Sequence, residues 1–378
     1  MNIPESLAHV RAWGEACDWR GYDPYDALNS PFAQLLTAGT PLGKRMLTQA
    51  VKRSPLNLRP LLRIPTGWNA MAVALVASGY TRLAAAGDEG ATAPARRWLD
   101  WLVENHSGSD GLAWGYHFPV QTRFFGYESG APNAIATSFA AHALLDGVEL
   151  LGEKRYAAPL RAVADFVCDE LLVGSSRPYF RYLRGEEELV HNANALVAGV
   201  LARTSRVLAD DAIAAPVPET VATTLAAQRS DGAWPYADLR GHGWVDNFHT
   251  GYVLESLSHC AGVHGVPDAR RRGYAYWTER LFLPDGSPKY FPDRTYPLDA
   301  QAYSQAVEAH LASSDLIGDA QARARRAAEV LVEAMIGPDG RVYFQRHRRW
   351  TNRIAFVRWS AAPTFRAIAG LRLAESRG

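Results

Sequence analysis

The sequence has few cysteines, a nearly balanced charge and no long apolar run, and each of these features excludes a class of protein. Its three cysteines, Cys17, Cys168 and Cys260, lie far apart in 378 residues, which argues against a disulfide framework. The formal net charge of +1 provides no global attraction to nucleic acid or to a membrane surface. We therefore expect no nucleic-acid partner.

Targeting and membrane signals are also missing. No segment has the roughly 18 uninterrupted apolar residues of a spanning helix. The first 30 residues lack a basic stretch followed by an apolar run, the pattern of a signal peptide. The sequence thus predicts a cytoplasmic protein without a membrane span.

Motifs for metals and nucleotides are absent as well. The patterns CxxC, HExxH, GxGxxG and GxxxxGK followed by Ser or Thr do not occur. His259 and Cys260 are adjacent in an apolar helical stretch, but no second ligand pair lies at a recognisable spacing, so buried packing is expected. We predict neither a metal nor a cofactor.

The sequence does contain a long internal repeat. Six stretches open with a polar or aromatic cluster and continue as a helix rich in Ala, Leu and Val. They are residues 67–88, 132–153, 191–210, 246–265, 299–319 and 359–376. Few charges interrupt any face, so we expect these helices to be buried nearly all round.

Amphipathic stretches alternate with the buried ones. They are residues 43–53, 93–106, 156–172, 218–228, 269–282 and 320–336. This alternation predicts an all-α fold, an (α/α)6 toroid in which six outer helices enclose six inner ones. We expect one toroid domain over residues 43–378 and an N-terminal extension, residues 1–42, packed across it.

A second repeat lies in the connections. Asp110-Gly111, Asp231-Gly232, Asp285-Gly286 and Asp339-Gly340 are each followed by two aromatic residues, and the last three pairs are spaced 54 residues apart. At 54 residues before Asp231, the segment SSRPYFRY (175–182) has the aromatic residues but no Asp-Gly pair. Asp-Gly is typical of a tight turn with positive φ, so we predict short aromatic hairpins.

These features resemble known families. Residues 228–234, QRSDGAW, match the QxxxGxW repeat of squalene/hopene cyclases and related prenyltransferases. Over roughly residues 60 to 375 the chain looks more like toroid proteins of polysaccharide machinery, including the helical domains of glucuronyl C5-epimerases and uronate lyases. The resemblance implies a toroid fold and a glycan substrate. A terpenoid cyclase is disfavoured, because neither DxDD nor DDxxD occurs.

The starts of the inner helices carry the candidate site. In a toroid these helices run parallel, so their N-termini converge on one end and favour anionic groups there. The polar or aromatic residues at these starts include Trp68, Asn69, Asn133, His191, Asn192, Asp246, Asn247, His249, Tyr303, Arg358 and Trp359. Helix capping is the alternative interpretation of such clusters.

Two long loops are expected at the same end. Residues 114–133 supply Tyr116, His117, Arg123, Tyr127 and Glu128, and the loop is longer than a connection needs to be. The arginine-rich segment 345–359 is interpreted either as an anion-binding lid or as a solvated charged loop. Residues 18–32 form either a structural plug or a wall of the substrate site.

Aromatic residues interleaved with Asn, Asp and Arg suit a sugar chain, and a uronate suggests proton abstraction at C5. We expect catalytic roles for Tyr127, Glu128, His191, Asp246, His249 and Tyr303. We expect substrate contacts from Trp68, Asn69, Tyr116, His117, Arg123, Asn133, Asn192, Trp234, Asn247, Arg353, Arg358 and Trp359.

The predicted function is epimerisation or lysis of an anionic, uronate-containing oligo- or polysaccharide. A glycoside hydrolase remains an alternative, because Glu128, Asp246 and Asp299 could supply the two carboxylates that hydrolysis requires. A glycan-binding protein without catalytic activity is the other alternative.

Overall fold

A computed structural model describes residues 1–107, 111–121, 126–239 and 241–378. The first helices in chain order are α1 (Ile3–Ala16), α2 (Ala33–Thr37), α3 (Pro41–Arg53), α4 (Ala70–Ala85), α5 (Thr92–Glu104), α6 (Ala134–Leu151) and α7 (Ala157–Phe166). They are followed by α8 (His191–Leu208), α9 (Val217–Ala226), α10 (Asn247–Ser258), α11 (Val266–Arg280), α12 (Ala300–Ala312), α13 (Ala320–Met335) and α14 (Ala362–Arg377).

The predicted toroid is confirmed. Within the described residues, the inner ring consists of α4, α6, α8, α10, α12 and α14, each packed against the next, and α14 closes the ring on α4. Their Ala-rich, glycine-containing faces allow close helix packing: a methyl group on Gly79 would lie 2.6 Å from the ring of Phe365. The outer helices α5, α7, α9, α11 and α13 each cover the inner helix that precedes them in the chain.

The remaining outer position is filled by α1, which corrects our expectation for residues 43–53. Tyr80 of α4 donates a hydrogen bond to Glu15 at 2.8 Å, and Trp19, just after α1, packs on Phe365 of α14 at 5.0 Å between ring centroids. Residues 43–53 instead belong to α3, which packs on α2 and on the segment around Asp26. Ring closure joins the two ends of the chain, so the repeat alone did not reveal this helix.

The Asp-Gly turns repeat in structure as well as in sequence. Gly232, Gly286 and Gly340 have φ values of 94°, 89° and 78°. Each turn packs on the next outer helix: added methyl groups would lie 2.4 Å from the carbonyl oxygen of Arg272 in α11 and 2.0 Å from that of His9 in α1. Glycine is therefore required both by backbone conformation and by close packing.

Short strands complete the connections. They are β1 (Val120–Gln121), β2 (Gly126–Tyr127), β3 (Leu172–Val173), β4 (Tyr179–Phe180), β5 (Leu298–Asp299), β6 (Gln345–Arg346) and β7 (Thr351–Asn352). They pair antiparallel as β1-β2, β3-β4 and β5-β6-β7. A π-helical turn at Val357–Ala361 leads into α14.

Ion pairs tie the inner helices together near their C-terminal ends. Each of three ion pairs links two inner helices: Arg82 with Glu308 at 2.7 Å, Arg366 with Glu255 at 2.6 Å, and Arg203 with Asp146 at 2.8 Å. Longer contacts, Arg82 to Asp146 at 3.8 Å and Arg366 to Glu308 at 3.5 Å, connect the pairs. This end of the ring is therefore lined by charged side chains, which surround a second cavity of about 400 Å³.

One helix deserves comparison with a membrane span. Among the described helices, α6 alone has the length and apolar composition to cross a membrane, and 72% of that stretch is buried inside the protein. Its neighbours α4 and α8 cover it in the ring.

Candidate functional site

A cavity of about 440 Å³ lies at the N-terminal ends of the inner helices. Each inner helix supplies lining residues at or just before its first turns: Met71, Ile135, Asn192, Phe248, His249, Gln301, Arg358 and Trp359. The helix N-termini thus converge as predicted. Aromatic side chains account for 12 of the 21 lining residues, so the wall offers flat apolar surfaces with polar edges.

The aromatic wall follows the 54-residue repeat. Tyr182, Tyr236 and Tyr290 are spaced by that interval and all line the cavity. The backbone carbonyl of each accepts a hydrogen bond from the first residue of the preceding inner helix. The donors are Ala134, His191 and Asn247, at 2.9, 3.0 and 3.1 Å. The repeat therefore places one tyrosine beside the start of each of these three helices.

His249 forms a histidine–carboxylate pair on the first turn of α10. Its Nδ1 lies 2.7 Å from Oδ2 of Asp246, while Oδ1 of Asp246 accepts the backbone N–H of His249 at 2.9 Å. The carboxylate is fully buried, and the imidazole keeps 22% of its side-chain exposure. Because Asp246 holds Nδ1, Nε2 remains for a group in the cavity.

A second pair, His242 and Glu188, lies in the same wall. Nδ1 of His242 contacts Oε1 of Glu188, and both residues line the cavity. The ring of Tyr236 lies against both imidazoles, at 4.7 Å from His249 and 5.9 Å from His242 between centroids. Two imidazoles, each held by a carboxylate, therefore flank one tyrosine ring.

Two amide groups offer hydrogen-bond acceptors to the cavity. Oδ1 of Asn192 and Oε1 of Gln301 are buried, and neither has a hydrogen-bond partner among the described residues. Both residues line the cavity. A buried acceptor without a partner costs free energy that a ligand hydroxyl would recover.

Arg358 is the cationic residue of the wall, but it is already paired. It donates two hydrogen bonds to Asp23, from Nε at 2.5 Å and from Nη2 at 2.8 Å. Its guanidinium lies 4.7 Å from the centroid of the Tyr116 ring. Tyr25 lines the cavity, which fits the expectation that residues 18–32 form a wall of the site. Asp23 does not line the cavity and instead holds the wall residue Arg358 in position.

Tyr116 and Tyr127 lie together, with ring centroids 6.4 Å apart, and both line the cavity as expected. Burial raises the pKa of the Tyr127 phenol well above its usual value. At neutral pH it remains protonated, so it is suited to donate a hydrogen bond and unsuited to act as a base.

Several predicted contact residues stabilise the ring and do not line the cavity. Asn69 and Asn133 cap α4 and α6. Asn247 donates to the carbonyl of Leu281 at 2.8 Å. The indoles of Trp68 and Trp234 donate to backbone carbonyls at 2.9 and 3.1 Å. Capping and bridging thus explain these polar helix starts, because buried backbone groups require partners.

Other predicted residues also lie outside the cavity wall. His191 is buried against Asp238 at 2.8 Å, and burial lowers its pKa. His117 is half-buried beside Asn69. Tyr303 is fully buried, and Glu128 and Arg353 are exposed. Arg123 lies outside the described residues.

Glu188 and His242 are the polar wall residues that the sequence reasoning missed. They lie in connections one 54-residue repeat apart, but they differ in residue type, so the repeat did not mark them as a pair. Tyr182, Tyr236 and Tyr290 could have been found, because they share one repeat position.

Comparison with known proteins supports the fold. No protein-family profile and no curated protein sequence matches the chain. A cellobiose 2-epimerase from Bacillus thermoamylovorans B4167 superposes with a TM-score of 0.62 at 11% identity, covering 83% of this chain and 90% of that chain. A GH76 α-mannanase from Bacteroides thetaiotaomicron gives 0.61 at 11% identity, covering 82% and 87%.

A polysaccharide lyase superposes with a TM-score of 0.52 at 10% identity, covering 80% of this chain and 90% of that chain. At these identities the likeness shows the fold. The chain is an (α/α)6 toroid of the architecture found in these glycan-processing enzymes.

Proposed function

We propose that this protein is a carbohydrate-active enzyme that moves a proton at a carbon atom next to a carboxyl or carbonyl group of a saccharide. The observation that carries the proposal is the presence of two histidine–carboxylate pairs, His249 with Asp246 and His242 with Glu188, in one aromatic cavity. An imidazole held at Nδ1 by a carboxylate is suited to accept a proton at Nε2 and to return it.

The chemistry follows from this arrangement. One imidazole removes the proton, and the electron pair of the broken C–H bond delocalises into the adjacent carboxyl or carbonyl group. The second imidazole enters the reaction as the imidazolium and gives a proton to the other face, which yields the epimer and leaves the two imidazoles with exchanged protonation states. The carboxylates stabilise each imidazolium. Departure of a substituent from the neighbouring carbon gives elimination instead.

The cavity suits a saccharide in size and surface. Its volume of about 440 Å³ falls within the range of small-molecule sites, roughly 300–1,000 Å³. Pyranose faces stack on tyrosine and tryptophan rings, and the acceptors of Asn192 and Gln301 suit sugar hydroxyls. The toroid neighbours named as an epimerase, a mannanase and a polysaccharide lyase support a glycan substrate.

A uronate is the substrate class that we favour. The inner-helix N-termini carry partial positive charge toward the cavity. Arg358 uses Nε and Nη2 for Asp23, and its Nη1 donates to Sδ of Met71, a weak acceptor, at 3.9 Å. A substrate carboxylate would replace this weak contact at Nη1. We keep a cytoplasmic location as a further prediction.

Hydrolysis is the less favoured chemistry, because it requires two carboxyl groups at the scissile bond. Among the described lining residues, Glu188 is the sole carboxylate, and it is bound to His242. Asp246 is fully buried behind His249. The wall therefore presents imidazoles, with the carboxylates as their partners.

The test is incubation of the protein in D₂O with uronate-containing oligosaccharides and with their neutral counterparts, followed by NMR. We expect deuterium at C5 of the uronate, together with an inverted or unsaturated product. Deuterium at C2 of a neutral reducing sugar would support proton transfer at carbon but overturn the assignment of a uronate as substrate. New reducing ends without deuterium at carbon would identify a hydrolase, and binding without any reaction would identify a lectin-like protein.

A further inference from the structure

A patch of large apolar side chains is exposed on residues 32–63, a segment that the toroid ring does not use. Leu35, Leu42, Met46, Leu56 and Leu61 have exposed fractions of 82%, 60%, 64%, 71% and 77%. Outside residues 32–63, the most exposed large apolar side chain in the described part of the chain is Met1, at 47%. Large apolar side chains that are exposed together in one segment indicate an interaction surface.

The same segment is basic throughout. No Asp or Glu occurs between Asp26 and Asp88, whereas residues 32–63 contain two lysines and four arginines. Arg59 is buried against Asp26 at 2.7 Å. Among the described residues, no carboxylate forms an ion pair with Lys44, Arg45, Arg53 or Arg63. We call residues 32–63 the basic apolar surface.

Short contacts hold the parts of this surface together. Thr40 donates a hydrogen bond to the carbonyl of Thr37 at 3.0 Å, between α2 and α3. Ser30 donates to the carbonyl of Leu62 at 2.7 Å, which ties the loop after α3 to the start of α2. Within α3, Leu42 and Met46 are four residues apart and share one face.

The opposite face of α3 is buried through Thr48 and Val51. In the folded protein, one face of α3 thus packs on the rest of the chain. The apolar face that carries Leu42 and Met46 is exposed. An amphipathic helix that combines exposed Leu and Met with Lys and Arg is typical of segments that lie in a membrane interface.

One residue of the basic apolar surface, Lys52, lies against the cavity wall. Nζ of Lys52, in the last turn of α3, lies 4.1 Å from the centroid of the Tyr25 ring and 5.8 Å from that of the Trp359 ring. Both rings line the cavity. A surface that touches α3 would therefore lie close to this part of the cavity wall.

We propose that the basic apolar surface docks on an anionic lipid membrane, with its apolar side chains in the interface and its cations on the headgroups. Charge complementarity favours this occupant: the surface carries unpaired cations and no acid, although the whole protein has a net charge of only +1. The absence of acidic residues fits a uniformly negative sheet of headgroups better than a protein partner of mixed charge.

Docking would bring the side of the cavity formed by Tyr25 and Trp359 close to the lipid headgroups. If the proposed function holds, a saccharide attached to a lipid carrier could enter the cavity without leaving the membrane. This consequence for the substrate rests on the proposed function, whereas docking itself does not.

The test is sedimentation of the full chain with vesicles of phosphatidylcholine alone or with 30% phosphatidylglycerol, about 30 mol% being an ordinary anionic content for such assays. We expect binding to the anionic vesicles that weakens with salt. Leu42→Glu with Met46→Glu should reduce the partition coefficient by about tenfold or more. Arg53→Gln and Arg63→Gln should each reduce it by roughly fivefold.

The matched control is Arg372→Gln, which removes an exposed arginine on α14, far from the basic apolar surface in sequence. It should bind vesicles like the wild type. Circular dichroism and thermal unfolding establish that each variant is folded. Vesicle binding is measured without substrate, so its failure and the failure of the proposed enzymatic function are separate results.

Three outcomes would overturn the docking proposal. The first is no binding to anionic vesicles by the folded wild type. The second is binding that the variants in the basic apolar surface leave unchanged. The third is a stable dimer in light scattering that Met46→Glu dissociates, because the surface would then be an interface between copies of this chain.

Discussion

Asp246 and His249 are joined twice at the start of α10: one carboxylate oxygen accepts the backbone N–H of His249 and the other contacts its Nδ1, at 2.9 and 2.7 Å. The same side chain therefore caps the helix and orients the imidazole. Capping and function are not alternatives at this position.

This double role makes Asp246→Asn informative. Asparagine caps helices about as well as aspartate, so we expect a melting temperature close to that of the wild type. The amide cannot stabilise an imidazolium as a carboxylate does, so kcat/KM should fall by about 10²–10⁴-fold. Asp231→Asn, in an Asp-Gly turn, is the control and should leave kcat/KM unchanged. A large fall in melting temperature with normal activity would restrict Asp246 to capping.

Tyr127→Phe tests the role assigned to the phenol. Burial keeps Tyr127 protonated at neutral pH, so the substitution removes a hydrogen-bond donor and not a base. We expect kcat/KM to fall by roughly tenfold, the equivalent of one hydrogen bond, with the pH–rate profile unchanged in shape. Disappearance of the ascending limb of that profile, which reports deprotonation of a base, would instead identify Tyr127 as the base.

The buried pair of Arg358 and Asp23 links the N-terminal segment to the start of α14. Arg358→Met leaves a buried carboxylate without its partner and should lower the free energy of unfolding by about 3–5 kcal/mol. Adding Asp23→Asn removes that charge and should restore a large part of the loss. Urea unfolding of both variants measures the coupling.

An exposed pair provides the comparison for this cycle. Arg325 and Glu375 are about half exposed, at 55% and 40%, so Arg325→Met should cost at most about 1 kcal/mol. Two results would show that the pair of Arg358 and Asp23 does not stabilise the cavity wall. One is an equal loss of unfolding free energy in Arg358→Met and Arg325→Met, and the other is no recovery in the double variant.

His310 predicts a dependence of stability on pH. Its Nδ1 lies 2.8 Å from the Tyr274 hydroxyl, and burial lowers the pKa of His310 to about 3. In the unfolded chain the pKa is about 6.5. Below about pH 6.5 the folded state therefore binds fewer protons than the unfolded chain. The contribution of His310 to the free energy of unfolding is lost as the pH falls from about 6.5 toward the folded-state pKa.

Relative to His310→Gln, which lacks an imidazole, the free energy of unfolding should fall by about 0.7 kcal/mol between pH 7 and 6 and by about 1.2 kcal/mol between pH 6 and 5, approaching about 1.4 kcal/mol per pH unit at lower pH. Urea unfolding of both proteins at pH 7, 6 and 5 measures it. A flat difference for His310→Gln would mean that His310 is not buried in its neutral form.

The ring could be predicted because its helices carry periodic signals at regular intervals. The buried helices and the Asp-Gly turns recur in one register, so each repeat reinforces the others. The failure at α1 has a physical reason: the ring is closed by residues from opposite ends of the chain, such as Trp19 and Phe365, and no local pattern records that contact.

The site was less predictable than the ring. A polar residue at the start of a helix can cap the helix or contribute to the cavity wall, and the sequence does not distinguish these two roles. Asn133 and Asp246 both cap inner helices, yet Asp246 also holds a wall imidazole. Glu188 and His242 share one repeat position but differ in residue type, so the sequence did not indicate that they pair. Tyr182, Tyr236 and Tyr290, in contrast, keep the same residue type at their repeat position.

The central claim is that the two imidazoles transfer a proton in the cavity. The most direct measurement is the rate of solvent-deuterium incorporation at C5 of a uronate oligosaccharide by the wild type, His249→Gln and His242→Gln, each shown to be folded. We predict incorporation by the wild type and a fall of about 10²–10⁴-fold in each variant. Incorporation at the wild-type rate by both variants would contradict the claim.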